Sequence, residues 1–349
     1  MNIQYDIVVD THGKGDVVTI QQAIDLAPKD NSLYTIYIQN GRYEEKLHIT
    51  RPNTHLIGAS KDNTIICFTS ANGLLANDGK IWATYNSYVV NADAENVTFQ
   101  SLTIENTFDF IANQRKNSDD STKITATQAV AFLVGEQGNQ IQCVDCGLKS
   151  YQDTLYVSAG NSYFESVDIW GTVDFIFGGG TALFNRCQII SRWRDDVVDD
   201  SPWGYICAPS TLIDQPFGFV FYHCSLNKES RQIPNQSYKL GRPWHPTTHF
   251  TDGDYANPDA IGHCIYIHCK IDAHVNGWDK MHGKDKHGVV QYFYPQDSRF
   301  YTYQNTYLGK EMPNDDFDYE LKTDVKSTIS VANIFKGWTP DLQSISVDL

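Results

Sequence analysis

No apolar run in this sequence approaches the roughly 20 residues that a membrane-spanning helix needs, so none is expected. Met1–Asp10 is polar, with no basic start and no apolar stretch, so no secretory signal is read there. A mature form given a new start Met would look like this. Basic residues are scarce: 27 Lys and Arg face 42 Asp and Glu, a formal charge of −15. That balance argues against nucleic acid or an anionic membrane as partner. There is no G-x-S-x-G, which removes a serine nucleophile elbow. Cys143 and Cys146 form a lone C-x-x-C, expected on a strand with its thiols on different sides of a bulge. No second pair and no H-x-x-x-H completes a zinc set. His263 and His268, like His282 and His287, are five apart without an acidic helper. The acidic run Asp195-Asp196 to Asp199-Asp200, and Asp252 with Asp254, lack the ligand order of a calcium loop and read as solvated loops. No metal and no cofactor is expected.

What is present is a repeat: an apolar residue, two others, a second apolar residue, one more, then Ile or Leu. It reads FQSLTI at Phe99–Ile104, FESVDI at Phe164–Ile169, FNRCQI at Phe184–Ile189 and FYHCSL at Phe221–Leu226. Weaker copies are CVDCGL at Cys143–Leu148 and YIHCKI at Tyr266–Ile271. The fourth positions, Leu102, Cys146, Val167, Cys187, Cys224 and Cys269, are spaced by 44, 21, 20, 37 and 45 residues. These are near one or two multiples of a unit of about 20 residues, the low end of solenoid periods. Alternation over Val89–Val97 and Ala182–Ile190 predicts strands with one buried face. The unit has no room for a long helix.

The expected fold is therefore all-β: a right-handed parallel β-helix with long loops and short terminal helices. One elongated domain spans 1–349, with an N-terminal cap over about 1–30 and a C-terminal tail over about 325–349. Cys146, Cys187, Cys224 and Cys269 should form an inward ladder of small side chains. Thr19–Gln22 has capping-box form, followed by apolar residues at helical spacing, which predicts a short helix lidding the first coil. Val331, Ile334 and Phe335 predict a similar segment near the other end. Long polar insertions (Glu105–Thr127, Arg192–Trp203, Lys228–Lys239, Thr247–Asp259, Asn276–Gln296) are placed to build a groove. Trp193, Trp203, Trp244 and Trp278 lie in or beside them. The aromatic content of 13%, with 20 Tyr and 7 Trp, suits a sugar-binding surface.

Asp153 lies seven residues after Cys146, and Asp174 seven after Val167. Equivalent positions on adjacent coils put the two carboxylates roughly 4.8 Å apart, one strand spacing, on one outer face. Two carboxylates that close do not both ionise easily, so the pair separates into an acid and an anion. Isolated, each Asp would be read as a turn residue; matched in register within aromatic strands, they point to chemistry. A carboxylate nucleophile with a second carboxyl as acid and base is a complete catalytic set.

Four motifs then carry a resemblance: SYQDTLYV (Ser150–Val157), GTVDFIFG (Gly171–Gly178), LGRPW (Leu240–Trp244) and TQAVAFLV (Thr127–Val134). Together they resemble the signatures of pectin methylesterases, carbohydrate esterases on a right-handed β-helix. LGRPWHPTT and GWDKM (Gly277–Met281) are most similar to the bacterial branch. The resemblance runs from about Asp10 to Trp338. It implies that Asp174 attacks the ester carbonyl and that Asp153 protonates the departing methanol, then activates water. It implies that Gln128 and Gln152 donate to the oxyanion, and that Arg242 pairs with Asp174, keeps it ionised and orients it. Trp244 would offer a face to a sugar ring. Thr84, Tyr156, Val173, Phe177 and Met281 match substrate contacts; plain packing is the competing reading for Phe177 and Met281. Gly179 and Gly180 replace the Asn or Asp usual after GTVDFIFG, which predicts a more flexible backbone beside Asp174. Val167 stands where some relatives carry a pairing Cys, so Cys187 is expected to be free.

The implied partner is methylated homogalacturonan or its oligomers, with no nucleic acid, no membrane and a monomeric chain. The substrate implies secretion. Two other readings compete: a glycoside hydrolase on the same β-helix, and an inactive pectin-binding solenoid. Arg242 and two Gln beside the carboxylates favour ester chemistry, because glycosidic cleavage has no carbonyl oxyanion to stabilise.

Overall fold

In a computed structural model the structure describes residues 5–76, 78–197, 201–309, 319–321, 326 and 328–340. Three long parallel sheets share the chain. A ten-stranded sheet runs from Ile7–Val9 to Arg299–Tyr303, a nine-stranded sheet from Gly41–Glu44 to Thr306–Tyr307, and a seven-stranded sheet from Leu47–Ile49 to Tyr238–Gly241. Seven successive coils each contribute one strand to each sheet in turn, and the end coils fewer, which is a parallel β-helix. Two antiparallel hairpins interrupt it: Thr247–Phe250 with Gly253–Ala256, and Met281–Lys284 with Val290–Phe293.

The repeat is the corner between the ten- and nine-stranded sheets. Its third residue takes positive φ on every coil: Ser101 (52°), Asp145 (50°), Ser166 (54°), Arg186 (55°), His223 (52°) and His268 (53°). One left-handed residue turns the chain, so the apolar first and fourth positions both face inward. This corrects two expectations. Val89–Val97 and Ala182–Ile190 are not single strands: each spans a corner between two, Val90–Ala92 and Val97–Gln100, and Thr181–Asn185 and Gln188–Ser191. Cys143 and Cys146 both point into the core, because the turn at Asp145 breaks the alternation.

The six fourth-position residues are all fully buried. The first positions stack in register: Phe164 on Phe184 at 4.9 Å, Phe184 on Phe221 at 4.5 Å and Phe221 on Tyr266 at 4.4 Å. All eight Cys are buried and unpaired, Cys187 included.

The helix Ile20–Asp25 begins with the expected capping box and buries Ile20 and Ala23 on the first coil. The Glu45 carboxylate accepts from the Ile20 and Gln21 N–H groups at 2.8 Å each, which suits the positive end of the helix. The helix Val331–Ile334 exists, but it lies along the flank. With Phe335 it packs on Leu183, Val220, Ile265 and Ile267, on the outer face of the ten-stranded sheet. The tryptophans divide. Trp278 is buried, stacking on Phe300 at 4.5 Å, and so belongs to the core rather than to a loop surface. Trp193 and Trp203 pack partly buried against the core.

Candidate active site

The outer face of the seven-stranded sheet carries the site. The register Leu155↔Ile176 sets Asp153 beside Asp174, each two residues before its strand begins and so at the corner rather than within the strand. The Asp153 N–H donates to the Val173 carbonyl at 3.1 Å, locking that register. Both aspartates have positive φ, 62° and 49°. Asp tolerates this conformation better than most residues, and here it turns the carboxyls outward at the corner entering the sheet. Both are 7% exposed.

Their neighbours differ. Arg242 reaches Asp174 through two parallel bonds, Nε to Oδ1 at 2.9 Å and the second guanidinium nitrogen to Oδ2 at 2.6 Å. This fork geometry is the strong form of an ion pair. The Arg242 plane lies 3.9 Å from the Tyr205 ring centre, and Tyr205 Oη donates to Asp279 at 3.1 Å. Burial works against the Arg242 charge, but the Asp174 carboxylate outweighs it and raises its pKa. Gly241 precedes Arg242 because a Cβ there would lie 2.6 Å from the Cys207 oxygen and sulfur. Asp153 has no such cation. Burial, and then the negative charge of Asp174, push its pKa well above the usual carboxylate value; Arg242 and a hydrogen bond from Gln152 offset only part.

Gln128 and Gln152 pair as a parallel bridge on successive coils. With the dyad they line a pocket of about 300 Å³, together with Thr84, Tyr156, Phe177, Trp244 and Met281. Tyr156 stacks on Phe177 at 4.3 Å, and Trp244 meets both rings edge-on at 6.4 and 5.6 Å. Of the catalytic and substrate-contact residues expected from sequence, Arg242 and Val173 stay outside that lining: Arg242 reaches the pocket only through Asp174, and the Val173 carbonyl accepts from the Asp153 N–H. Tyr85 and Ala208 line the pocket and were not foreseen. Nothing in the sequence around Ala208 distinguishes it; only its pairing with Phe177 puts it there. Lys46 was also missed. Its ammonium donates to the Asn86 and Tyr88 carbonyls and lies 3.5 Å from the Tyr88 ring centre, pinning the segment after Thr84–Asn86.

The glycines beyond Phe177 are held rather than loose. Gly180 N–H donates to Val157 O at 3.0 Å, and the Gly179 carbonyl accepts from Gln215 at 3.0 Å. A Cβ on Gly180 would lie 2.7 Å from Ala159 O. Close backbone approach, not freedom, explains glycine there. Among the described residues no group of three or more His, Cys, Asp or Glu is arranged to hold a metal. Asp195 is bound to Arg115 at 2.6 Å and Asp196 to Arg194 at 2.5 Å. Asp199 and Asp200 lie outside the described residues.

A parallel β-helix with an acidic dyad, a forked arginine and an aromatic-walled groove defines a carbohydrate-active enzyme. The pectinesterase family model matches residues 6–252. Pectinesterase A of Dickeya dadantii is 46% identical over 325 residues, covering 93% of this chain and 88% of that protein. The pectin methylesterase of Yersinia enterocolitica superposes with a TM-score of 0.89 at 42% identity, covering 92% of this chain and 99% of the other. A pectin methylesterase solved in complex with a hexasaccharide gives 0.94 at 45% identity, covering 97% and 99%. The chain belongs to the pectinesterase family, on its bacterial side, and is a carboxylic ester hydrolase of that kind.

Proposed function

We propose that the chain hydrolyses methyl esters of polygalacturonan through an aspartyl nucleophile, Asp174, and an aspartic acid/base, Asp153. The observation that carries this reading is the unequal treatment of two in-register carboxyls: Arg242 forks onto Asp174, while burial and the Asp174 charge favour a proton on Asp153. A carboxylate oxygen of Asp174 attacks the ester carbon. The carbonyl electron pair moves onto oxygen, where the Gln128 and Gln152 amides donate to it. As the tetrahedral centre collapses, Asp153 gives its proton to the methoxy oxygen and methanol leaves. Asp153, now ionised, takes a proton from the water that cleaves the Asp174 acyl bond, which restores both groups. Trp244, Tyr156 and Phe177 offer ring faces to the sugars, Thr84 and Met281 complete the contacts, and Val173, outside the lining, acts through its bond to Asp153.

The substrate is methylated homogalacturonan or its oligomers, in keeping with the hexasaccharide bound by the similar esterase. Acting on such a polymer calls for secretion, and the chain works as a single-domain monomer without a cofactor. The glycosidase alternative loses ground because Arg242 and two glutamines serve a carbonyl that glycosidic cleavage lacks. Methanol release without new reducing ends separates the two. Asp174→Ala should abolish methanol release from pectin and Asp153→Asn should nearly do so. More than a few per cent of native activity in either variant would overturn the assignment.

A further inference from the structure

Two side chains outside the set assigned above engage the carbonyl ends of the site's glutamines. The Thr127 hydroxyl donates to Gln152 Oε1 at 2.9 Å. Asn72 Nδ2 donates to Gln128 Oε1 at 3.2 Å. Thr127 is buried. Asn72 is anchored twice more, by its backbone N–H to the Gln128 carbonyl at 2.8 Å and by Nδ2 to Thr84 Oγ1 at 3.1 Å. A primary amide has one accepting end and one donating end. With each Oε1 engaged from the side, Gln128 Nε2 is left for the pocket that both glutamines line, and Gln152 Nε2, which gives one hydrogen bond to Asp153, keeps its second N–H for it.

We propose that Asn72 and Thr127 are positioning residues for the ester hydrolysis, fixing the rotation of the Gln128 and Gln152 amides so that N–H groups face the developing oxyanion. The inference rests on the oxyanion role proposed above for the two glutamines. Rotation decides the sign of their effect. A reversed amide sets a carbonyl oxygen against a forming negative charge, turning a stabilising dipole into an opposing one. The bonds to Oε1 also polarise each amide and strengthen its N–H donors. Neither residue touches the reacting atoms, so neither is catalytic itself.

The test is kcat and KM for methanol release from pectin by the full chain. Thr127→Val should lower kcat roughly three- to tenfold, the worth of one neutral hydrogen bond, with KM held, and Thr127→Ser should keep the native rate. Asn72→Asp should cost more, about 10²-fold, the scale of a lost oxyanion donor, because an acceptor then stands where Gln128 Oε1 needs a donor. Gln152→Leu and Gln128→Leu provide the backgrounds. Thr127→Val should add nothing to Gln152→Leu, and Asn72→Asp nothing to Gln128→Leu, since no amide remains to orient. Full additivity in both cycles would mean general damage and would overturn the inference. So would native kcat in both single variants while the glutamine variants are slow. If the glutamine variants themselves keep native kcat, the oxyanion reading fails first and takes this inference with it. The two cycles are independent, so one variant that fails to fold leaves the other to decide.

Discussion

Asp153 and Asp174 share a backbone conformation but not a set of neighbours, and the roles proposed for them rest on that difference. The raised pKa of Asp153 has consequences for rate and for stability. Proton donation to methanol needs Asp153 protonated, so kcat/KM should hold below its raised pKa and fall as pH rises through it. The alkaline limb should therefore lie above the ordinary carboxylate value of about 4; a limb at that ordinary value would remove Asp153 as the acid. For folding, a raised native pKa gives stability that is fully present below the unfolded value and lost as pH rises through the folded one. Asp153→Asn has no such loss, so it should melt higher than the native chain at neutral pH while nearly inactive. A lower melting temperature would contradict a site held at a cost in stability. At this scale the sequence marked residues that the fold then brings together: Asp153, Asp174, Arg242 and the two glutamines. It was silent on Asn72, Thr127 and Tyr205, whose importance is only their contact with those residues.

Corners, more than strands, give the coil its shape. The repeat was legible because its first and fourth residues are apolar for a packing reason. The left-handed residue between them was not, since Ser, Asp, Arg and His all occupy it. Without that corner, alternation runs on across two strands, and the C-x-x-C is assigned two faces instead of one. Gly178 tests the close contact between coils. Its φ is +125°, and a Cβ would lie 2.0 Å from Val157 O. Gly178→Ala should therefore destabilise the fold by at least about 2 kcal/mol, read from denaturant melts. An unchanged midpoint would refute the contact. The Cys ladder behaves as packing. Burial pushes the Cys146 thiol up to about 12 and raises Cys143, Cys187 and Cys224 well above their usual value. A thiol reagent should label none of these four until the chain unfolds, and added reductant should leave the melting temperature unmoved. A drop on reduction would reveal a disulfide.

Across the whole molecule, the stacked coils turn one outward position per coil into a track. His48, Asn91, Leu133, Tyr156, Phe177 and Ala208 are partners in register along the groove face. A polymer laid along this axis would bring successive sugars past one dyad. The formal charge of −15 opposes a substrate that gains carboxylates as it is demethylated. Raising salt from very low levels to about 0.15 M, where charges are screened beyond about 8 Å, should lower KM for partly demethylated pectin. A KM that rises instead would mean that the groove's own cations dominate. The sequence by itself determined the period, the inward ladder, the capping box and the equivalence of two aspartates, because each depends on residue type at a fixed spacing along one chain. Only the tertiary structure decided that the C-terminal helix lies on a flank, that Trp278 is core, and which side chains bond the glutamine carbonyl ends. Those outcomes depend on contacts between coils, and no spacing along the chain encodes which surfaces meet.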